Sequence, residues 1–186
     1  SATSVYGDHK GEWVNENSIT KPTSSNGSNR LAAENMWKKL SNKNKYPLQI
    51  FRLAGIYSNE FNILKRLQTG KLQIVDKKNH FFSRIHVEDI ANILFKSIDI
   101  FKNNEVYNIC DDKPASQSEV AAYGAKLLNL ENPNTVKLEE VENEMLQNFY
   151  KESKKVDNKK MKAFFKYNLK FPTYVEGLNN IFNNSL

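Results

Sequence analysis

Cysteine is nearly absent from this chain, which has a single one, Cys110, among 186 residues. A lone cysteine cannot form an internal disulfide, so the sequence excludes a disulfide-stapled fold and favours a reducing compartment, for which we expect the cytoplasm. Long apolar runs are missing as well. No stretch approaches the roughly 18 to 20 residues that cross a bilayer, so we expect no membrane partner. No charged and apolar leader precedes Ser1 in this sequence, and we expect no secretory signal.

Glycines and metal-binding side chains are also few. The seven glycines are dispersed, and neither G-x-G-x-x-G nor G-x-x-G-x-x-G occurs. The three histidines and Cys110 show no spacing typical of metal ligands, so we expect no bound metal. Neither a G-x-S-x-G pentapeptide nor a Ser/His/Asp arrangement supports a hydrolase.

The charge is unbalanced, with a net value of +6, and a basic chain favours an anionic partner. The lysines, however, are scattered among asparagines, and no long basic run alternates with aromatic side chains. A drift of composition toward Lys and Asn explains the excess, so we expect no nucleic-acid partner. The hydrophobic share of 39% and the charged share of 26% fit one globular domain.

Hydrophobic periodicity alternates between strand-like and helix-like segments. Strands are predicted over 1–6, 48–53, 72–75, 81–85 and 106–109, and helices over 28–43, 59–68, 87–101, 116–129, 139–149, 158–165 and 173–184. Between the first strand and the first helix, residues 8–27 form a long polar loop, of a length that is often functional. Strands that alternate with amphipathic helices predict an α/β fold with a parallel sheet.

Two of the predicted helices carry apolar stripes at helical spacing. The stripe on the helix at 28–43 consists of Ala33, Met36, Trp37 and Leu40. The stripe on the helix at 87–101 consists of Ile90, Ile93, Leu94, Ile98 and Phe101. The helix predicted over 116–129 begins with the run Ser-Gln-Ser-Glu, which is a capping-box pattern.

Five segments, in their order and spacing, resemble one known family. They are SATSVYG at 1–7, PTSSNGSNRLAAE at 22–34, FRLAGIY at 51–57, FSRIHVEDIA at 82–91 and EVYNI at 105–109. Together they resemble the second half of the extended short-chain dehydrogenase/reductases, the NAD(P)-dependent nucleotide-sugar epimerase/dehydratase family. The resemblance covers nearly the whole chain and is weakest between about 130 and 170.

The resemblance implies the C-terminal part of a doubly wound, Rossmann-type parallel sheet plus a smaller substrate-binding α/β region. Residues 1–186 would form one unit, with 1–57 and 82–110 contributing late strands and helices of the sheet. Residues 58–81 and 111–186 would form the substrate-binding region. The family's glycine-rich βαβ part, which holds the cofactor pyrophosphate, has no counterpart here, so we expect a truncated form. The intact protein would bind NAD or NADP, and this chain alone would not.

The catalytic positions of the family are degenerate in this sequence. The family uses a Tyr and a Lys four residues apart on one helix face, and the matching positions are Asn26 and Arg30. Asn26 cannot exchange a proton near neutral pH, whereas Arg30 stays charged and can hydrogen-bond a ribose hydroxyl. The family's hydroxyl residue aligns on Ala2, unless a bulge brings Ser1 or Thr3 into its place. This departure resembles the atypical subgroups that lack the Tyr-x-x-x-Lys pair.

The resemblance also implies which residues would bind ligands. The residues that would face the cofactor are Ala2, Arg30, Ala54, Gly55 and Ile56. The last three follow the carboxyl end of a parallel strand, where ligands of α/β proteins usually bind. The alternative for this strand end is an ordinary turn with Gly55 at a positive φ angle.

Tyr6, Arg84 and His86 would line the substrate cleft, with the Arg84 guanidinium suited to an anion. The alternative for His86 is that it caps the following helix together with Asp89.

Asn26 and Arg30 also have simpler explanations. Asn26 and Gly27 form a strong turn pair before a helix. Arg30 can be a solvated helix residue paired with Glu34.

We therefore expect chemistry on a hydroxyl or keto carbon of a nucleotide-sugar-like molecule by an NAD(P)-dependent epimerase/dehydratase or reductase. The alternative is a non-catalytic NAD(P)-binding sensor or scaffold of the same fold, which the changes at Asn26 and Arg30 favour. By the same resemblance, a homodimer would form through the helix at 28–43.

Overall fold

The computed structural model describes residues 1–70, 72–75 and 77–185. Its strands are β1 (Trp13–Val14), β2 (Gln49–Leu53), β3 (Gly55–Tyr57), β4 (Ile74–Val75), β5 (Arg84–His86), β6 (Glu105–Ile109), β7 (Thr135–Val136) and β8 (Lys155–Val156). Its helices are α1 (Ser25–Asn44), α2 (Ile63–Gln68), α3 (Val87–Asp99), α4 (Gln117–Leu127), α5 (Glu144–Lys151), α6 (Lys159–Phe165) and α7 (Tyr174–Ser185). Short 3-10 turns lie at Thr3–Tyr6 and Leu138–Glu140.

The strands pair in parallel: β1 with β8, β2 with β6, β3 with β5 and β4 with β7. The longest pairing runs from Gln49 opposite Glu105 to Leu53 opposite Ile109, and Ala2 adds a parallel bridge to Leu53. Parallel strands joined through helices confirm the predicted α/β class.

The chain passes directly from the β2–β6 pair into the β3–β5 pair. The amide of Ala54 donates to the carbonyl of Ile109 at 3.0 Å, and the amide of Gly55 donates to that of Ser83 at 3.1 Å. Gly55 is the first residue of β3, and it is not one of the glycines with a positive φ angle. The alternative of a glycine turn at this point is therefore wrong.

The predicted strand at 1–6 is in fact a single bridge followed by a 3-10 turn. After Ala2, residues Thr3–Tyr6 turn, and the amide of Gly7 closes the turn on the carbonyl of Ser4. Gly7 has a φ angle of 71°, and a Cβ there would lie 1.9 Å from the carbonyl oxygen of Lys21. Only glycine fits this close approach, which lets the chain leave the sheet edge immediately.

Side-chain caps fix the starts of two helices. The Ser24 hydroxyl accepts from the amide of Gly27 at 3.2 Å, so α1 starts three residues earlier than predicted and Asn26 lies in its first turn. The cap predicted at Ser116 is confirmed, since its hydroxyl accepts from the amide of Glu119 at 3.0 Å.

The apolar stripe predicted on the first helix faces outward. Met36, Trp37 and Leu40 are 72%, 59% and 41% exposed, while α1 buries Glu34 and Ser41 instead. In α3, Ile90 and Ile93 are buried as their spacing predicts, whereas the remaining members of that stripe are exposed, namely Leu94, Ile98 and Phe101.

The buried apolar side chains form two main clusters. One packs α6 against the β2–β6 pair and includes Tyr107, Ile109, Met161 and Phe165. The other joins α2, α4 and α7 and includes Leu64, Leu67, Val120, Leu178 and Ile181.

A buried ionic network ties α1 to β2. The Arg52 guanidinium donates from Nε and Nη2 to the two carboxylate oxygens of Glu34 at 3.0 and 2.8 Å, and from Nη1 to the hydroxyl of Tyr6 at 2.9 Å. The Tyr6 hydroxyl in turn donates to Asn108 at 2.7 Å. Burial opposes ionisation of Glu34, but the hydrogen bonds from Arg52 and Ser1 outweigh it and hold its pKa below the usual value.

The buried imidazole of His80 gives the fold a pH dependence. It stacks on Tyr150 at 5.0 Å and meets the edge of Phe82 at 4.5 Å. Burial, helped by the charge of Lys77, lowers the His80 pKa from 6.5 to about 4. As the pH falls below 6.5, the unfolded chain therefore binds a proton at His80 that the folded chain does not bind. The free energy of unfolding has its full contribution from His80 above pH 6.5 and loses it as the pH falls toward 4.

We expect the His80→Phe variant to lose less stability than the wild type on acidification. The ring replacement keeps the stacking and removes the titrating group. The difference in free energy of unfolding between the variant and the wild type should therefore change by about 2 kcal/mol between neutral pH and about pH 5. Urea unfolding at both pH values measures it. Equal pH slopes for the two proteins would contradict the assignment to His80.

Candidate functional site

A cavity of about 1040 Å³ opens where β3 and β5 lie side by side. The start of α1, the helices α2 and α4 and the segment before β8 supply the other walls. Its lining includes Thr3, Ser4, Ser24, Asn26, Gly55, Ile56, Tyr57, Arg66, Phe82, Arg84, Phe149, Glu152 and Lys154. A cavity of this size is large enough for a nucleotide-sized ligand.

Five of the residues predicted to form the site line this one cavity. They are Thr3 from the first turn, Asn26 from α1, Gly55 and Ile56 from β3, and Arg84 from β5. The segments 1–34, 51–57 and 82–91, which are distant from one another in the sequence, therefore each contribute residues to the lining of one cavity.

Two of the predicted cofactor-binding residues, Ala2 and Ala54, are instead part of the strand pairing or its buried surroundings. Ala2 is bridged to Leu53, and Ala54 is buried with 6% exposure. Arg30 lies exposed on α1 outside the cavity lining, and Glu34 pairs with Arg52 rather than with Arg30. The simpler explanation of Arg30 as an ion-pair partner of Glu34 is therefore wrong.

Tyr6 and His86 also lie away from the cavity, and their predicted contact with substrate is corrected. The fully buried Tyr6 hydroxyl bonds to Arg52 and Asn108. His86 is 1% exposed, and its Nδ1 accepts from the amide of Glu88 at 3.2 Å, which caps α3. The alternative, in which His86 caps the following helix, is therefore confirmed for His86.

Arg84 is a cation held firmly inside the wall. Its guanidinium donates to the carbonyl oxygens of Phe82 and Ala115 at 3.1 and 3.0 Å and to the side chain of Gln117 at 3.0 Å. Burial raises the pKa of the neighbouring Asp111 carboxyl to about 8, although the charge of Arg84 acts in the opposite sense. Arg84 therefore spends much of its donor capacity on the protein itself.

An ion pair that the sequence did not predict faces the same cavity. Lys154 Nζ donates to Glu152 Oε2 at 2.8 Å and to the carbonyl of Gly7 at 2.9 Å, and the Thr23 hydroxyl donates to Glu152 Oε1 at 2.7 Å. Burial opposes ionisation of Glu152, but these hydrogen bonds hold its pKa below the usual value. Both residues lie in the stretch where the resemblance is weakest, so no motif pointed to them.

Aromatic rings form part of the cavity lining. Phe82 and Phe149 stack with their centroids 3.9 Å apart and their planes 10° from parallel. Phe149 is 44% exposed and Phe61 is 68% exposed, and both line the cavity. The site therefore combines an apolar wall with a few polar groups, as small-molecule sites commonly do.

Across residues 1–70, 72–75 and 77–185, no three His, Cys, Asp or Glu side chains come together as ligands for a metal. In the same ranges, no helix combines the length and the apolar character needed to cross a bilayer.

Solved structures assign this chain the Rossmann-like α/β fold of nucleotide-sugar epimerases and dehydratases. A functionally unknown conserved protein from Silicibacter pomeroyi shares 39% identity with a TM-score of 0.93, over 100% of this chain and 65% of its own. UDP-glucuronic acid 4-epimerase from Bacillus cereus, in complex with UDP-glucuronic acid and NAD, shares 19% with a TM-score of 0.80, over 98% of this chain and 59% of its own. dTDP-glucose 4,6-dehydratase from Bacillus anthracis, in complex with NAD, also shares 19% identity with a TM-score of 0.80, over 98% of this chain and 59% of its own.

This chain thus spans less than two thirds of the length of these structures. No family model matches it, and no curated protein matches it.

Proposed function

We propose that this chain forms the substrate-binding part of an NAD(P)-dependent site that acts on a hydroxyl or keto carbon of a nucleotide-sugar-like molecule. The observation that carries the proposal is the meeting of Thr3, Asn26, Ile56 and Arg84 around one cavity beside two parallel strands. In open α/β sheets, ligands bind outside the carboxyl ends of the strands. The fold neighbours solved with UDP-glucuronic acid and NAD support the same ligand class.

The residues present fit only the reactive end of a nicotinamide cofactor. Ile56 is 45% exposed and offers an apolar surface at the cavity, next to the small Gly55. No glycine-rich turn for a pyrophosphate occurs in the sequence. When bound, the cofactor would accept or return a hydride, while the chain's own residues would bind and orient the substrate. We therefore predict that this chain alone does not bind NAD or NADP.

Thr3 and Asn26 would contact the reacting oxygen through hydrogen bonds. The Thr3 hydroxyl can donate to a substrate oxygen or accept from it, and the Asn26 amide can do both. Neither group takes up a proton readily at neutral pH, so proton transfer would have to come from elsewhere. The roles of Arg30 toward a cofactor and of Arg84 toward a substrate anion stay predictions.

A second candidate function is a non-catalytic NAD(P)-binding sensor or scaffold. The change to Asn26 and Arg30 at the family's Tyr and Lys positions favours it. The exposed stripe of Met36, Trp37 and Leu40 on α1 supports a homodimer contact for either function. The two candidates differ in turnover: the enzyme converts a UDP-sugar in the presence of the cofactor, whereas the sensor binds without converting.

Calorimetric titration tests the proposal. We expect saturable binding of UDP-glucuronic acid to this chain, because residues of the chain line a cavity of sufficient size, and no measurable heat with NAD⁺. Failure of every UDP-sugar to bind would remove the proposed substrate class. Micromolar binding of NAD⁺ would show that the cofactor needs no glycine-rich turn here.

A further inference from the structure

Three cations line the cavity among the described residues, and two of them are already engaged. Lys154 is bound to Glu152 and to the carbonyl of Gly7. Arg84 is held by two main-chain carbonyl groups and by Gln117. Lys154 is thus paired with a carboxylate, and Arg84 already uses donors on three neutral groups of the protein.

Arg66 is the third cation, and its surroundings differ from those of the other two. It lies on α2, lines the cavity and is exposed. Within residues 1–70, 72–75 and 77–185, its guanidinium makes no hydrogen bond or ion pair.

We propose that Arg66 is the residue that binds the diphosphate of the substrate, and that it determines the preference for a phosphate-bearing ligand. This inference rests on the proposed function, in which the cavity takes a nucleotide-sugar-like molecule. An arginine fork matches two oxygens of a phosphate at once, and its charge is always present. Because no partner among the described residues has to be displaced, Arg66 can bind an anion without leaving another of those groups unpaired.

Lys65 offers a matched control on the same helix. It carries the same charge, it does not line the cavity, and it pairs with Glu60 at 2.9 Å. Lys65→Gln therefore removes one positive charge at nearly the same place without touching the proposed contact. Arg66→Lys keeps the charge and removes only the fork.

The experiment titrates UDP-glucose into the wild type and the Arg66→Gln, Arg66→Lys and Lys65→Gln variants, with circular dichroism confirming the fold of each. We expect Arg66→Gln to weaken binding at least about tenfold, Arg66→Lys to weaken it less and Lys65→Gln to leave it nearly unchanged. Parallel titrations use inorganic pyrophosphate and glucose. Pyrophosphate should bind weakly in an Arg66-dependent manner, and glucose should not depend on Arg66.

The outcomes separate the inference from the proposed function. Equal affinities for Arg66→Gln and Lys65→Gln would overturn the role of Arg66 while leaving a nucleotide-sugar site in place. A wild type that binds neither UDP-glucose nor pyrophosphate would overturn the substrate class itself, and the role of Arg66 with it.

Discussion

Replacing Glu34 by Ala is expected to lower the free energy of unfolding by about 3 to 5 kcal/mol, the range for removing one partner of a buried ion pair. Glu34 and Arg52 are 2% and 3% exposed, and both carboxylate oxygens accept from the guanidinium. Without Glu34, the charge of Arg52 remains in the interior, and the Tyr6 hydroxyl is the one side-chain partner left to it among the described residues. The chain must then hydrate the guanidinium by opening the α1–β2 contact.

Urea unfolding at neutral pH measures this loss. Glu60→Ala is the matched control, because Glu60 is also paired, with Lys65, but its side chain is 90% exposed. Solvent screens that pair, so its removal should cost less than about 1 kcal/mol. If Glu34→Ala and Glu60→Ala cost the same, the network does not hold α1 to β2.

Replacing Asp89 by Ala should produce a loss of similar size, about 3 kcal/mol, for a different physical reason. The fully buried Asp89 carboxylate accepts from the hydroxyl of Tyr167 at 2.7 Å and from the amides of Lys170 and Phe171 at 2.7 and 3.0 Å. Alanine removes the acceptor for two main-chain amides, and each buried donor left unpaired costs about 1 to 3 kcal/mol. The segment between α6 and α7 would lose its anchor on α3.

Thermal unfolding and amide hydrogen exchange at 166–172 report on that anchor. Asp99→Ala changes an exposed acid near the end of the same helix and should alter stability by less than about 0.5 kcal/mol. Unchanged exchange at 166–172 in Asp89→Ala would mean that other contacts hold the segment.

The sequence predicts the α/β class because local patterns express it directly. The run at 49–53 is β2, the capping serine at 116 starts α4, and Ile90 and Ile93 are buried where their helical spacing requires. These features depend on neighbours within a few residues. They can therefore be found without knowing what the rest of the chain does.

The environment of α1 could not be predicted in this way. A stripe such as Met36, Trp37 and Leu40 is normally read as the buried face, yet it is exposed, and the helix buries Glu34 instead. The reason is the long-range partner Arg52, which lies 18 residues after Glu34 in the chain. Hydrophobic periodicity carries no information about such a pairing.

The candidate site was predictable only where the resemblance is strong. Thr3, Asn26, Ile56 and Arg84 were found through their motifs, and they line one cavity. Tyr6 belongs to the same motifs, but its side chain turns into the core because of the turn at Thr3–Tyr6. Arg66 and Lys154 lie outside any motif, and in the sequence they look like ordinary surface cations.

The central claim is that the space beside β3 and β5 is a ligand site, and filling that space tests it most directly. Ile56→Trp should weaken the binding of UDP-glucuronic acid at least about tenfold by occupying the cavity, as a loss of packed contact area predicts. Ile19→Trp, at a residue that is 77% exposed and outside the lining, should bind like the wild type. Equal affinities for the two tryptophan variants would contradict the account, because the sugar nucleotide would then bind elsewhere.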